Sequence, residues 1–408
     1  MMNSNIEIRK LGELANHISS GSTPLGGRSV YLDEGPVMLI RSQNVRMNHL
    51  QLDDVAFVSD EIDSSMKRSR LEPQDVLLNI TGASIGRVAR FSSRSQRANV
   101  NQHVCIIRTK HDRLVPRYLE FFLSSPIVQN EIHDELQRGG TRQALTFKQI
   151  SEFKIPLPAM VEQERIADIL DKANAIRRKR QQANKLAEQF LRSTFFDMFG
   201  DPITNPKGWP VIGLKNLISR GFQNGAYYPK EKYSQSNSGV EMVHMSDAFY
   251  GTVKLDDIKR VNASKSEVEK YSLDENDVLV ARRSLNYEGS AKPCRVPPIG
   301  RHLIFESSLI RVTPDRSKLH PLYLYYFLSN PRARSKYVFR HVTRSTISGI
   351  NQSGLGRVGI ALPPIEEQDR FVAFHEHYDQ SLNKLTSNAD LLDDLFNSLV
   401  QRAFKGEL

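Results

Sequence analysis

Ile155-Pro156-Leu157-Pro158-Ala159-Met160-Val161-Glu162-Gln163-Glu164-Arg165 returns as Ile360-Ala361-Leu362-Pro363-Pro364-Ile365-Glu366-Glu367-Gln368-Asp369-Arg370, an offset of 205 residues (360 less 155). The offset holds upstream, where Pro116-Arg117-Tyr118-Leu119-Glu120-Phe121-Phe122-Leu123-Ser124-Ser125-Pro126 answers Pro321-Leu322-Tyr323-Leu324-Tyr325-Tyr326-Phe327-Leu328-Ser329-Asn330-Pro331. Self-similarity at this period settles the organisation before any local motif is weighed. The 408-residue chain reads as two related halves, and two related binding events held at a fixed separation are the expectation.

Each half is long enough for a globular domain plus an extra element. Composition is that of a soluble protein, with 39% hydrophobic and 25% charged residues. No apolar run has the length of a membrane span, and the polar Asn3-Ser4-Asn5 is no signal peptide, so a cytoplasmic protein is expected. Cys105 and Cys294 are the only cysteines and fall in different halves, which excludes a disulfide framework or a cysteine zinc site. The net charge of +10 favours a polyanionic partner without requiring one.

Short β-branched runs separated by turns predict strands at Val37–Ile40, Asp75–Ile80 and His103–Ile107. Pro116 and Pro126 stand near the starts of helices expected over Arg117–Leu123 and Ile127–Leu136. The second half opens after the loop Asp201–Gly208, where Trp209–Leu214 takes the place of Ile6–Leu11. The fold class is therefore α+β, twice. Each domain leads into a long helix. The seam of the first runs through Ile169, Ala173, Ile176, Ala183, Ala187 and Phe190, interrupted at Arg180 within the basic run Arg177–Arg180. The seam of the second runs through Phe371, Tyr378, Leu385, Leu392 and Leu399. Each stripe is too narrow to be a core, so the two helices are expected to pair as a coiled coil, antiparallel or parallel.

Both hinges, the junction Phe195-Phe196-Asp197-Met198-Phe199-Gly200-Asp201-Pro202 and the tail Leu399–Leu408 together resemble the specificity subunit of type I restriction-modification enzymes, over essentially the whole chain. The resemblance implies target recognition domains at residues 1–157 and 201–362. It makes 158–200 and 363–408 the conserved helices. Each domain would read one half of a split, asymmetric double-stranded DNA site. The helices would space the half-sites and dock two modification subunits, which bind S-adenosylmethionine and methylate adenine. A restriction subunit can join for ATP-dependent translocation and cleavage. The specificity subunit itself holds no cofactor and catalyses nothing.

Candidate DNA contacts fall on loops. Arg41, Gln43, Asn44 and Arg46 follow an apolar strand and carry side chains that pair bidentately with guanine or adenine. The corresponding stretch holds His244 and Ser246, a divergence suited to a different half-site. Thr141, Arg142 and Gln143 follow Gly139-Gly140, and their counterparts include Arg344 and Thr346. Thr81 and Ser84 lie on a glycine-rich loop without the lysine of a phosphate loop, matched by Arg282, Arg283 and Ser284. No metal-ligand spacing is present, and His375 and His377 point apart on a helix. Asp201-Pro202-Ile203-Thr204 lacks the aromatic residue of an adenine methyltransferase motif and reads as a linker. Two other classes of function compete: a coiled-coil scaffold for proteins, and a nuclease with an unrecognised site.

Overall fold

Why the motif repeats is visible at Gln163 and Gln368, which are buried. The Gln163 side-chain carbonyl accepts from Val115 N (2.9 Å), and its amide donates to the carbonyls of Arg113 and Pro158 (3.0 Å each). Gln368 does the same with His320 N (2.8 Å) and the carbonyls of Lys318 and Pro363 (2.9 Å each). Proline cannot donate, so the carbonyls around it need a partner from elsewhere. One glutamine on the first turn of the long helix thus ties the hinge to the chain entering the preceding helix.

The computed structural model describes residues 6–138, 144–234, 238–249, 251–386 and 389–408, without the side chains of Arg138 and residues 382–393. It divides into two compact units, Met1–Ala183 with Asn388–Leu408, and Asn184–Ser387. The units cut across the helices rather than beside them.

In the first unit, strand Glu7–Lys10 pairs antiparallel with Lys154–Leu157, closing the domain beside its own hinge. A four-stranded antiparallel sheet has the order 15–20, 104–109, 76–79, 88–90. A second sheet sets Val37–Ile40 between Ala56–Val58 and, in parallel, Arg97–Val100. The predicted strands at 37–40, 75–80 and 103–107 are found at Val37–Ile40, Val76–Asn79 and Val104–Thr109. Helices Pro116–Leu123 and Pro126–Arg138 begin at their prolines, whose missing N–H costs nothing at a helix start.

The second unit repeats this frame. Val211–Gly213 pairs with Gly359–Ala361, and a four-stranded sheet has the order 218–224, 309–314, 278–281, 293–295. Val240–Val243 runs parallel to Leu303–Phe305. The chain is thus α+β in two similar domains.

Met160–Phe199 is one helix of 40 residues. The C-terminal helical segment is found at Ile365–Thr386 and Ala389–Lys405. In the first unit, Ile166, Ala167 and Leu170 pack in one core with Phe396, Val400, Ala403 and Phe404. Arg165 donates to the Leu408 carbonyl (3.0 Å), while Arg177 lies over the Phe396 ring (4.2 Å), so the pair is antiparallel. In the second unit, Phe190 meets Phe374 and Tyr378, and Phe199 meets Phe371, again antiparallel.

The seam itself needs correction. Buried positions on this face include Ile166, Leu170, Asn174, Ala187, Leu191, Phe195 and Phe199; Ala187 is as expected, while Leu170, Asn174 and Leu191 stand one residue beyond the expected Ile169, Ala173 and Phe190. Ile169 and Ala173 are half-buried, Ile176 and Ala183 are exposed, and Phe190 keeps half its surface while covering aromatics. The stripe shifts because each half of the helix packs against a globular domain as well as a helix, and polar Asn174 takes a buried place that pattern reading assigns to apolar residues. Phe371 is fully buried, and Tyr378 and Leu399 are half-buried. Leu385 and Leu392 lie outside the described side chains.

Candidate nucleic-acid interface

Three stretches far apart in sequence meet at one edge of the first domain. The Asn79 amide, at the end of strand Val76–Asn79, donates to the Ser42 carbonyl (2.8 Å) and to Ser84 Oγ (3.1 Å). Thr81 bridges Ala144, the first described residue after the loop that carries Thr141, Arg142 and Gln143. Those three lie outside the described residues. A fourth stretch, Asn101–His103, joins the others. Asn101 N donates to the Ile40 carbonyl (3.2 Å), Ile80 N donates to the His103 carbonyl (3.0 Å), and the His103 ring bonds the Thr81 hydroxyl. Sequence reading named no contact here, although the stretch leads into the strand expected at His103–Ile107.

The side chains after Val37–Ile40 are committed to one another. Asn44 is fully buried; it accepts from Arg41 N (3.0 Å) and donates to the Gln51 carbonyl and to Asp54 Oδ1 (3.1 Å each). Gln43 donates to Asp54 Oδ2 (2.8 Å), Arg41 to the Asp54 carbonyl (3.0 Å), and Arg46 to Gln51 Oε1 (3.0 Å). Asn44 therefore shapes the turn rather than projecting from it. Gln43 is exposed, while Arg41 and Arg46 are half-exposed. On the next loop Gly82 and Ala83 are exposed, and Thr81 and Ser84 half-exposed.

The second domain assembles the same edge with other chemistry. Glu306 N donates to the Val243 carbonyl (3.0 Å), and Arg282 N to the Ser308 carbonyl (2.8 Å), the counterparts of the Asn101 and Ile80 bonds. Arg283–Ser284 pairs antiparallel with Ser348–Gly349; among the described residues of the first domain the counterpart is the Thr81–Ala144 bridge. Arg344 lies over the Tyr287 ring (4.2 Å), which stacks on Phe339 and donates to its carbonyl (3.0 Å). Arg283, Arg344 and Thr346 are exposed, and Arg282 and Ser284 half-exposed. His244 is bonded to the Tyr233 hydroxyl (2.9 Å), and Ser246 is exposed beside Asp247.

Both edges rest on a glycine where the first strand crosses the parallel one. A Cβ at Gly21 would overlap the Val100 carbonyl, and one at Gly225 the carbonyls of Phe305 and Glu306. Such backbone crossings admit glycine alone. The arrangement offers arginines, hydroxyls and free loop tips on a rigid sheet edge, which suits contact with phosphates and base edges. Among the described residues, no group of His, Cys, Asp and Glu could hold a metal ion, and no helix is long and apolar enough to cross a membrane.

Comparison with known proteins agrees with the duplication. The model of the type I restriction modification DNA specificity domain matches twice, at residues 3–188 and 206–392. The chain is 22% identical to the type I restriction enzyme EcoKI specificity subunit of Escherichia coli K12, covering 93% of this chain and 84% of that one. It is 21% identical to the putative type I restriction enzyme MjaX specificity subunit of Methanocaldococcus jannaschii, over 89% of this chain and 84% of that one. Among solved structures, the fold is like that of the type I restriction-modification system S subunit from M. genitalium, with a TM-score of 0.54 and 14% identity over 99% and 98% of the two chains.

Proposed function

The chain belongs to the type I restriction modification DNA specificity family, and on that basis we propose that it is the noncatalytic, sequence-reading subunit of a DNA methyltransferase complex. Each globular domain reads one half of a split, asymmetric site in double-stranded DNA. The observation that carries this is the repeated sheet edge with divergent tips. Equivalent backbone bonds hold equivalent loops, but Thr81-Gly82-Ala83-Ser84 is replaced by Arg283-Ser284-Leu285-Asn286. Two readers built on one frame with different tips recognise two different sequences.

The helices set the distance between half-sites. Forty helical residues span about 60 Å, enough to hold two readers on one face of the duplex about one turn apart. The same helices dock two modification subunits, which bind S-adenosylmethionine and carry the methyl transfer; a restriction subunit can join the assembly. Adenine must leave the stack to be methylated, and clamping the duplex on both flanks supports its extrusion.

The test is a genome-wide map of N6-methyladenine in cells carrying this chain and its modification subunit, against the same cells lacking the chain. A split asymmetric motif that vanishes on deletion is the expected result. An unchanged map, with the chain still bound to other proteins, sinks the proposal and favours a scaffold. Binding of the assembled complex to its site should also weaken steeply with salt, since phosphate neutralisation releases counterions.

A further inference from the structure

Two large apolar side chains stand in solvent at the tip of the second domain's reading edge. Leu285 keeps 82% of its surface exposed and Ile347 keeps 52%. Water is a poor environment for either, and burial of such a side chain is favourable. Their places are related. Arg283 pairs with Gly349 and Ser284 with Ser348, so Leu285 and Ile347 are the next residues beyond the last pair of an antiparallel ribbon, one on each strand. Residues opposed across such a ladder point to the same face. The ribbon ends in an apolar pair.

What surrounds the pair names the surface that covers it. Arg283 precedes it on the same strand and is exposed, Arg282 is half-exposed, and Arg344 is held over Tyr287. No acidic residue occurs between Arg282 and Tyr287 or between Phe339 and Gly349; Glu288 is the nearest along the chain. An apolar tip collared by arginines on a two-stranded ribbon fits the DNA major groove, which admits such a ribbon and lies between two rows of phosphates. The apolar group that groove presents at base edges is the C5 methyl of thymine.

We infer that Leu285 and Ile347 read thymine methyl groups in the half-site bound by the second domain. This rests on the DNA-reading function proposed above. It also makes the two domains unequal: Ala83 occupies the place of Leu285 in the first domain, beside Gly82, and offers one methyl where Leu285 offers a branched side chain. The half-site of the second domain therefore contains at least one thymine whose methyl group is buried in the complex.

The experiment uses the complex of this chain with its modification subunits and a duplex carrying the mapped site. Each thymine of the two half-sites is replaced in turn by deoxyuridine, which removes the methyl and leaves every hydrogen bond. The expected result is a three- to fivefold loss of affinity at one or two positions, confined to one half-site, the worth of about one buried methyl group. Leu285→Ala should bind the unmodified site about tenfold more weakly. It should also lose its sensitivity to deoxyuridine at one of those positions. The residue is exposed, so the variant is expected to fold, and assembly with the modification subunits checks this independently. Indifference of the unsubstituted complex to deoxyuridine everywhere overturns the inference while leaving the function standing. So does unchanged sensitivity in Leu285→Ala. A complex that prefers no sequence at all overturns the function as well.

Discussion

The two units share a frame and differ in what they bury against their helices. Arg90 of the first and Arg295 of the second occupy the same place, 205 residues apart, on the strand that faces the long helix. In the first unit Arg90 meets the buried carboxyl of Glu120 (3.3 Å) at the edge of a cavity of about 480 Å³ that Asp171 and Asn174 also line. In the second, Tyr325 replaces Glu120, and Arg295 lies by its ring (5.2 Å) in a cavity of about 390 Å³ shared with His375 and Asp379. Identical topology thus tolerates opposite electrostatics at the domain–helix junction. What the repeat conserves is backbone hydrogen bonding and one arginine; what it lets vary is the partner of that arginine.

The largest effect tests whether the units stand alone. Phe199 and Phe404 are equivalent and buried, the first against Phe195, Tyr323 and Phe371, the second against Tyr118 and Phe122. Truncation of either to alanine removes a packed ring and should cost about 3–5 kcal/mol. In scanning calorimetry, Phe199→Ala should lower the transition of the second unit and Phe404→Ala that of the first. A single transition moved equally by both would break the division.

Acid should act on the units with opposite sign. Burial pushes the Glu120 carboxyl up to about 7, with Arg90 opposing and Asp171 adding to the shift. Its proton is held more tightly in the fold than in the unfolded chain, so it favours folding at low pH and loses that advantage as pH rises toward 7. Burial pushes the His375 imidazole down to about 4, helped by Arg295. There the unfolded chain binds the proton more tightly, so stability is lost as pH falls below about 6.5 toward 4. Relative to Glu120→Gln, the unsubstituted first unit should lose about 2 kcal/mol between pH 5 and 7. Relative to His375→Gln, the second should lose about 2 kcal/mol between pH 6.5 and 5. Melting each variant across that range would show either crossing curves or, against the comparison, parallel ones.

A smaller effect concerns the short helix that follows each candidate contact loop. Thr146 caps the helix Phe147–Ser151 by accepting from Gln149 N (3.2 Å), and its equivalent Asn351 caps Gln352–Gly356 by accepting from Gly354 N (2.7 Å). Alanine at either place should cost about 1 kcal/mol. Equal losses from urea titrations would mean that the shared frame carries the cap; a loss in one alone would mean that the second copy has relaxed it.

Much of this was legible in the residues. The duplicated hinge, the strands at Val37–Ile40 and Val76–Asn79, and the proline-started helices all follow from local patterns. The candidate edge was legible only as separate loops. Arg41–Arg46 and Thr81–Ser84 could be named from residue type, but that Asn79 joins them depends on its bond to Ser42, 37 residues away, as well as the local one to Ser84. Burial of Asn44 was not legible, because its partners Gln51 and Asp54 lie in a loop with no periodicity. Parts of the helix seam were read one residue off because apolar spacing is satisfied almost as well by a neighbouring stripe.

By itself, then, the sequence determined that the chain is two copies of one α+β domain, each closed by a glutamine-bearing hinge and continued by a long helix. Local propensity and an exact offset suffice for that, since each element is written within a few turns or one strand. Only the tertiary structure decided that the helix pairing is antiparallel within each unit, and that the C-terminal segment Ala389–Lys405 packs with the first domain. It also decided which polar side chains are spent inside and which stand exposed at the candidate edge. Those choices depend on contacts between residues far apart in the chain, where periodicity allows several partners and only complete packing and satisfied buried hydrogen bonds select one.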